Sequence, residues 1–216
     1  MSINKTYGVF GLGKYGTAIA VELVNNGAEV LAVDKSEERV HSAAESIPYC
    51  KCADVTDPEV IRQLGIGQLD VVIIAMARSF EASVMATMLC KQAGVEAVIV
   101  KSADEMHSEI LSRVGADKVI TPETESGRRL AKNLLSSGFV DIIELSDEFS
   151  MIELDVKKEW VGKSLKDLEL RRRYGINVVA LRTGKRISCS INPEEAFNED
   201  TKLVVIADMK KLAKMK

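Results

Sequence analysis

The chain has 216 residues, 46% hydrophobic and 28% charged, with a formal net charge of -3. This is enough apolar material for one large domain, or a medium one with a small companion, and it argues against disorder; with no basic excess, a nucleic-acid partner is not expected. The longest apolar run, 71–77, is far short of the roughly 20 residues that span a bilayer, and residues 1–5 carry no signal-peptide core, so a cytosolic protein is expected.

The first 120 residues alternate short apolar runs with helical periodicity. Strands are predicted over 7–11, 30–33, 48–53, 71–75, 97–100 and 118–121, and helices over 16–26, 37–46, 58–64, 81–93 and 104–114. In the first helix Ala18, Ile19, Val21 and Leu23 make one wide apolar face, and Asn26-Gly27 is a stop signal. Near-continuous apolar strands separated by helices imply a parallel sheet covered on both faces. The predicted class is α/β, a Rossmann-like doubly wound parallel sheet with a second, smaller α+β domain.

After Thr121-Pro122 the texture changes. A helix is predicted over 123–135, with Leu130, Leu134 and Leu135 on one side, then a break at 136–138 and a short apolar piece over 139–145. Strand-like 150–156, helical 165–170, strands at 176–182, 187–191 and 203–207, and a basic tail over 210–216 follow. The expected organisation is a nucleotide-binding domain over 1–135, a crossover or linker over 136–149, and a small regulatory domain over 150–216.

Gly11-Leu12-Gly13-Lys14-Tyr15-Gly16 is a G-x-G-x-x-G turn between a predicted strand and helix. The first glycine permits the tight turn, the second lets a pyrophosphate approach the backbone, and the third lets helix and strand pack closely. The helix N-terminus then offers free N–H groups to phosphate. Asp34, ending the second strand 23 residues after Gly11, is placed to accept hydrogen bonds from ribose hydroxyls, and it disfavours a 2′-phosphate. Its loss is expected to weaken nucleotide binding without unfolding the chain. Lys14 offers a cation to terminal phosphates, which suits ATP or ADP as well as NAD(H). Tyr15 and Lys35 flank these positions.

Ligands of such sheets sit at the carboxyl ends of the strands. Ala53-Asp54-Val55 is therefore a candidate adenine contact, and Ala75-Met76-Ala77 a stretch of mostly small residues that lets a ligand lie close. Lys101 and Glu123 close the fifth and sixth strand regions. Catalysis finds no such constellation: the two histidines, His41 and His107, fall in helices, and neither is expected at a strand end. The four cysteines, Cys50, Cys52, Cys90 and Cys189, include a Cys-x-Cys pair but no second pair to complete a tetrahedral metal site. A nucleotide site without a reaction suggests a sensor.

Here the chain resembles a known family, the TrkA/KtrA type of cytosolic regulatory subunit of potassium transporters, built from RCK domains. The stretches Val9–Gly16, Val30–Asp34, Ala53–Thr56 and Gly115–Glu123 carry the resemblance in the first half, and Trp160–Leu168 and Arg171–Ala180 in the second. It implies ATP, ADP or NAD(H) in the N-terminal domain. It also implies dimers assembling into a ring, commonly an octamer, at the inner face of the membrane under a potassium transporter of the TrkH/KtrB type. The helix 123–135 and the piece 139–145 would form the dimer. The resemblance implies Glu123 near the phosphates, where it helps to bind a divalent cation or Na+. The Lys14 position is commonly basic in the family, often arginine, and lysine keeps the charge without the bidentate fork. Some relatives bind cyclic di-AMP on the C-terminal domain, where the matching residues are Arg171, Asn177, Val178, Ile191 and Pro193. The expectation is a non-enzymatic regulator; the alternative is an NAD-dependent oxidoreductase whose substrate domain is the C-terminal third.

Overall fold

The computed structural model describes residues 5–135, 139–146 and 148–208. The chain divides into two units, Met1–Glu123 and Thr124–Lys216. The basic tail predicted over 210–216 lies outside the described residues.

The first unit runs β1 (Thr6–Phe10), α1 (Lys14–Asn25), β2 (Glu29–Asp34), α2 (Glu37–Ala44), β3 (Tyr49–Cys52), α3 (Pro58–Gln63), β4 (Val71–Ile74), α4 (Phe80–Gln92), β5 (Ala97–Lys101), α5 (Glu105–Val114) and β6 (Lys118–Ile120). All six strands are parallel, in the order β3-β2-β1-β4-β5-β6. This is the doubly wound sheet expected from the strand–helix alternation. Its two faces feed two cores. Phe10, Val33, Ile74, Val98 and Val100 pack with Ala86, Leu89 and Cys90 of α4 and Leu111 of α5. Val9, Ala32 and Ile73 point the other way, onto Ala20 of α1 and Ala43 of α2. Successive strand residues point to opposite faces, so a strand covered on both sides must be apolar throughout. The central strand β4, Val71–Ile74, is accordingly buried at every position, while the edge strand β3 is largely exposed.

In the second unit all strands are antiparallel. α6 (Pro122–Leu135) is followed by β7 (Phe139–Glu144), β8 (Phe149–Asp155), α7 (Leu165–Leu168), α8 (Leu170–Tyr174), β9 (Asn177–Thr183), β10 (Arg186–Ser188) and β11 (Thr201–Asp208). The sheet order is β10-β9-β11-β8-β7. In β11 Thr201, Leu203, Val205 and Ala207 alternate inward, onto Ile152, Trp160, Leu168, Ile176 and Phe197.

Beyond shifts of a residue or two at element ends, three differences from the sequence reading bear on the fold. The apolar piece 139–145, expected in the crossover, supplies strand β7, paired with β8 through Ile142↔Ile152 and Ile143↔Met151; a ladder partner satisfies backbone groups that a linker would leave to water. The helix predicted over 165–170 is two, because Glu169 adopts φ 45° and breaks the hydrogen-bond register between α7 and α8. The strand predicted over 187–191 is the short β10, Arg186–Ser188, so Ile191 lies outside it.

Candidate nucleotide site

The order β3-β2-β1-β4 reverses direction between β1 and β4, and both neighbours of β1 leave their carboxyl ends open there. The glycine turn sits at this point. Gly11 N–H donates to Val33 O at 2.8 Å and Ala75 N–H to Phe10 O at 2.7 Å, so the turn is stitched to β2 and β4.

The three glycines have different reasons. Gly11 has φ 94°, and a Cβ there would meet Met76 Cγ at 2.8 Å. A Cβ on Gly16 would run into the Gly11 carbonyl oxygen, so α1 can lie this close to the turn only with glycine. Gly13 is required by neither: its φ is -74°, open to any residue, and a Cβ there would meet nothing within 4 Å. The space it leaves empty lies over the start of α1. There Thr17 N–H donates to Gly13 O, which makes Lys14 the first helical residue, two positions before the predicted start.

The electrostatics of α1 also single it out. The helices α2, α3 and α5 are capped by Ser36, Asp57 and Asp104, and α2 to α5 each carry glutamate in the first turn. By contrast α1 has no side-chain cap and no acidic residue in its first turn, where Lys14 stands instead. A cation opposes the positive end of the helix dipole. The arrangement suits an external anion that satisfies both.

Asp34 is nearly buried, its side chain 6% exposed. Leu12 N–H donates to its Oδ2 at 2.7 Å and Ser36 N–H to its Oδ1 at 2.9 Å. The carboxylate thus holds the glycine turn and the start of α2 together, a structural duty the sequence reading did not assign. Arg39 Nη1 lies 3.4 Å from the same Oδ2. Arg39 was not predicted; the available signal was Ser36-x-x-Arg39, a cap that places a basic residue one turn beyond the acid.

Of the other candidates, Lys35 and Asp54 are exposed and Ala53 is half-buried at the end of β3. Thr56 donates both its hydroxyl and its N–H to Asp54 Oδ1, at 2.7 and 3.0 Å, holding that carboxyl below its usual range. The Val55 side chain is packed in the core, which corrects the expectation that it faces a ligand and leaves only its backbone to do so. Ala75, Met76 and Ala77 follow β4 beside Gly11. Lys101 and Glu123, expected at the ends of the fifth and sixth strand regions, form an ion pair with each other, and Lys101 Nζ lies 5.2 Å from the centre of the Tyr15 ring. The Lys101 hydrogen bond holds the Glu123 carboxyl below its ordinary range. Among the described residues no three His, Cys, Asp or Glu side chains gather as a metal site, so Glu123 by itself does not make one.

His107 lies in the helix that follows β5, as expected. It stands in the first turn of α5, stacked on Phe80 at 3.9 Å with Nδ1 3.0 Å from Asp104 Oδ2. Both contacts hold the ring in place. A groove along α2 and β3, lined by Glu37, His41, Cys50 and Cys52 among others, includes no residue of the glycine turn. A second depression does, being lined by Leu12, Thr17, Glu38, Arg39, Ser42 and Ala43. In the second unit Arg171 is exposed on α8 and Asn177 exposed at the start of β9, while Val178 packs against the core. Ile191 is half-buried, and the Pro193 carbonyl accepts the Lys166 N–H at 3.0 Å.

Residues 7–122 match the family model of the TrkA-N domain, and residues 149–216 that of the TrkA-C domain. The chain is 34% identical over 207 residues to Ktr system potassium uptake protein C of Bacillus subtilis strain 168, covering 96% of this chain and 94% of that one. It is 33% identical over 210 residues to Ktr system potassium uptake protein A of Vibrio alginolyticus, covering 97% and 96%. Among solved structures it is similar to the GsuK RCK domain (TM-score 0.55, 21% identity, 99% of this chain and 46% of that one). It is also similar to the GsuK channel bound to NAD (TM-score 0.53, 20% identity, 98% and 38%). These two likenesses are of fold, and the chain spans less than half of those longer chains.

Proposed function

This chain belongs to the family whose members join a TrkA-N to a TrkA-C domain, and from that premise we propose that it is a cytosolic regulatory subunit of a potassium uptake system that binds an adenine nucleotide and gates a membrane transporter. The observation that carries the nucleotide reading is Gly13, a glycine with no internal reason, at the head of an uncapped helix whose first turn holds no acidic residue. Phosphates of ATP, ADP or NAD(H) take the α1 amides and Lys14, Asp34 takes the ribose, and Ala53 with the backbone of Val55 borders the adenine. Lys101 faces the phosphates from the other side of the turn. A divalent cation or Na+ at Glu123 would draw its remaining oxygen ligands from the nucleotide phosphates.

In this reading the chain is not an enzyme. It acts at the inner face of the membrane on a transporter subunit of the TrkH/KtrB type, as homodimers joined into a ring, proposed as an octamer. Exposed Leu130 and Leu134 on α6 and Ile143 on β7 support a dimer built on the crossover. Among the described residues no helix is long and apolar enough to cross a membrane. Cyclic di-AMP at Arg171, Asn177, Val178, Ile191 and Pro193 is a second proposed input, supported by the exposed Arg171 guanidinium.

The test is calorimetric binding of ATP, ADP, NADH and cyclic di-AMP to the purified full chain, with its mass in solution. Potassium flux through the reconstituted transporter is then measured with and without the chain. Nucleotide binding and a nucleotide-dependent change in flux are expected. Absence of binding, or steady turnover of NADH with a small substrate, overturns the reading.

A further inference from the structure

Asp34 has few acceptor positions left for a ligand. A carboxylate has about four lone-pair sites. Leu12 N–H and Arg39 Nη1 share Oδ2, and Ser36 N–H takes one side of Oδ1. One site remains, whereas the adjacent 2′- and 3′-hydroxyls of a ribose need two to donate together.

The three donors are not equally movable. Leu12 and Ser36 donate from the backbone at 2.7 and 2.9 Å, and either can leave only if the glycine turn or the start of α2 unravels. Arg39 donates from the end of a long side chain at 3.4 Å, and that side chain is 55% exposed. Its placement also needs a reason. Its own N–H donates to Ser36 Oγ, which fixes it in the first turn of α2, where the helix dipole disfavours a cation. Asp34 supplies that reason. The guanidinium has somewhere to go when it leaves: Glu38 lines the same depression beside the turn.

We infer that Arg39 is an internal competitor for the ribose, sitting on Asp34 Oδ2 until the diol of a nucleotide displaces it. The inference rests on the proposed nucleotide reading of the site. Binding exchanges one charge-assisted hydrogen bond inside the protein for two from the ligand, so Arg39 sets the affinity without touching the phosphates. It is a specificity residue for an intact ribose diol, because a ligand with fewer hydroxyls has less with which to evict it.

The test compares the wild-type chain with Arg39→Gln and Arg39→Lys by calorimetry, using ADP and 2′,3′-dideoxy-ADP. Arg39→Gln is expected to bind ADP about two- to fivefold more tightly, the strength of an exposed ion pair. It is expected to bind the dideoxy nucleotide as the wild type does, while Arg39→Lys keeps the charge and lies closer to wild type for ADP. Weaker ADP binding by Arg39→Gln overturns the inference, since it makes Arg39 a ligand contact. An equal gain for both nucleotides overturns it too, since the competition is then not for the diol. Failure of the wild type and both variants to bind ADP at all overturns the nucleotide reading itself. Thermal melting of each variant shows that the fold is intact.

Discussion

Lys101, the last residue of β5, and Glu123, the second residue of α6, close an ion pair at the carboxyl edge of the parallel sheet. The Lys101 side chain is 13% exposed and that of Glu123 72%, so the ammonium is held in place and the carboxylate is the movable partner. With Tyr15 beneath it, Lys101 faces the turn where phosphates are proposed. Lys101→Gln should weaken ATP and ADP by about tenfold, a charge-assisted contact being worth about 1.5 kcal/mol or more, and leave adenosine binding nearly unchanged. Titration of the variant with the three ligands checks it, and equal loss for all three would tell against a phosphate role.

Gly13 and Gly16 separate ligand from fold. Gly16→Ala puts a methyl against the Gly11 carbonyl and should cost about 1–3 kcal/mol of stability, as overpacking does. Gly13→Ala meets open space and should cost less than about 1 kcal/mol, the scale of an N-cap change. Yet it should abolish measurable nucleotide binding. Urea unfolding and calorimetry on both variants test the pair. A Gly13→Ala chain that binds normally refutes the phosphate approach at this glycine.

Asp34→Ala should do two things, not one. It removes the ribose acceptor and leaves the buried Leu12 N–H without its partner, a loss of about 1–3 kcal/mol. Asp34→Asn keeps an oxygen for Leu12 and should recover most of the stability but little of the nucleotide affinity. To the expectation that loss of Asp34 leaves the chain folded, the structure adds a cost in stability. Denaturation midpoints of the two variants, measured without ligand, decide it.

Acid should destabilise the first unit through a defined set of carboxylates. The Asp117 carboxyl is held low first by the Val98 N–H and then by Lys91, and that of Glu123 by Lys101. A group whose folded pKa is depressed contributes stability that is present above its unfolded pKa and is lost as pH falls through its folded pKa. The contribution should be complete above about pH 4.5 and decline below about pH 4. Melting temperature against pH is the measurement. Lys91→Met should flatten the acid limb, and an unchanged limb would remove the Lys91–Asp117 pair from the account.

The cysteines should sort by burial. Burial pushes the Cys90 thiol up to about 12, and it also raises Cys50. Cys52 and Cys189 are exposed. An alkylating reagent on the native chain should modify Cys52 and Cys189 well before Cys90, as peptide mapping by mass spectrometry reads directly.

Much of this protein is local and therefore readable along the chain. The six parallel strands follow from uninterrupted apolar runs, since only a strand covered on both faces can be apolar throughout. The glycine turn follows from its spacing between strand and helix. The burial of the Val55 side chain was not legible because it depends on which face of the sheet a loop returns to, and the residue's neighbours in sequence do not reveal that. The piece 139–145 reads as crossover because five apolar residues among seven can equally be a strand, a helix end or an interface. Only the pairing with β8 decides it.

The fold class, the place of the glycine turn and the acid at the end of β2 are legible along the chain. Each rests on periodicity or on a spacing of a few residues. The tertiary structure alone decided which charges meet. Lys101 and Glu123 are 22 residues apart and Leu12 and Asp34 likewise, and each pair is joined only because parallel crossovers return every strand to the same edge. A hydrogen bond is selective over tenths of an ångström, and no spacing along a chain fixes distance on that scale.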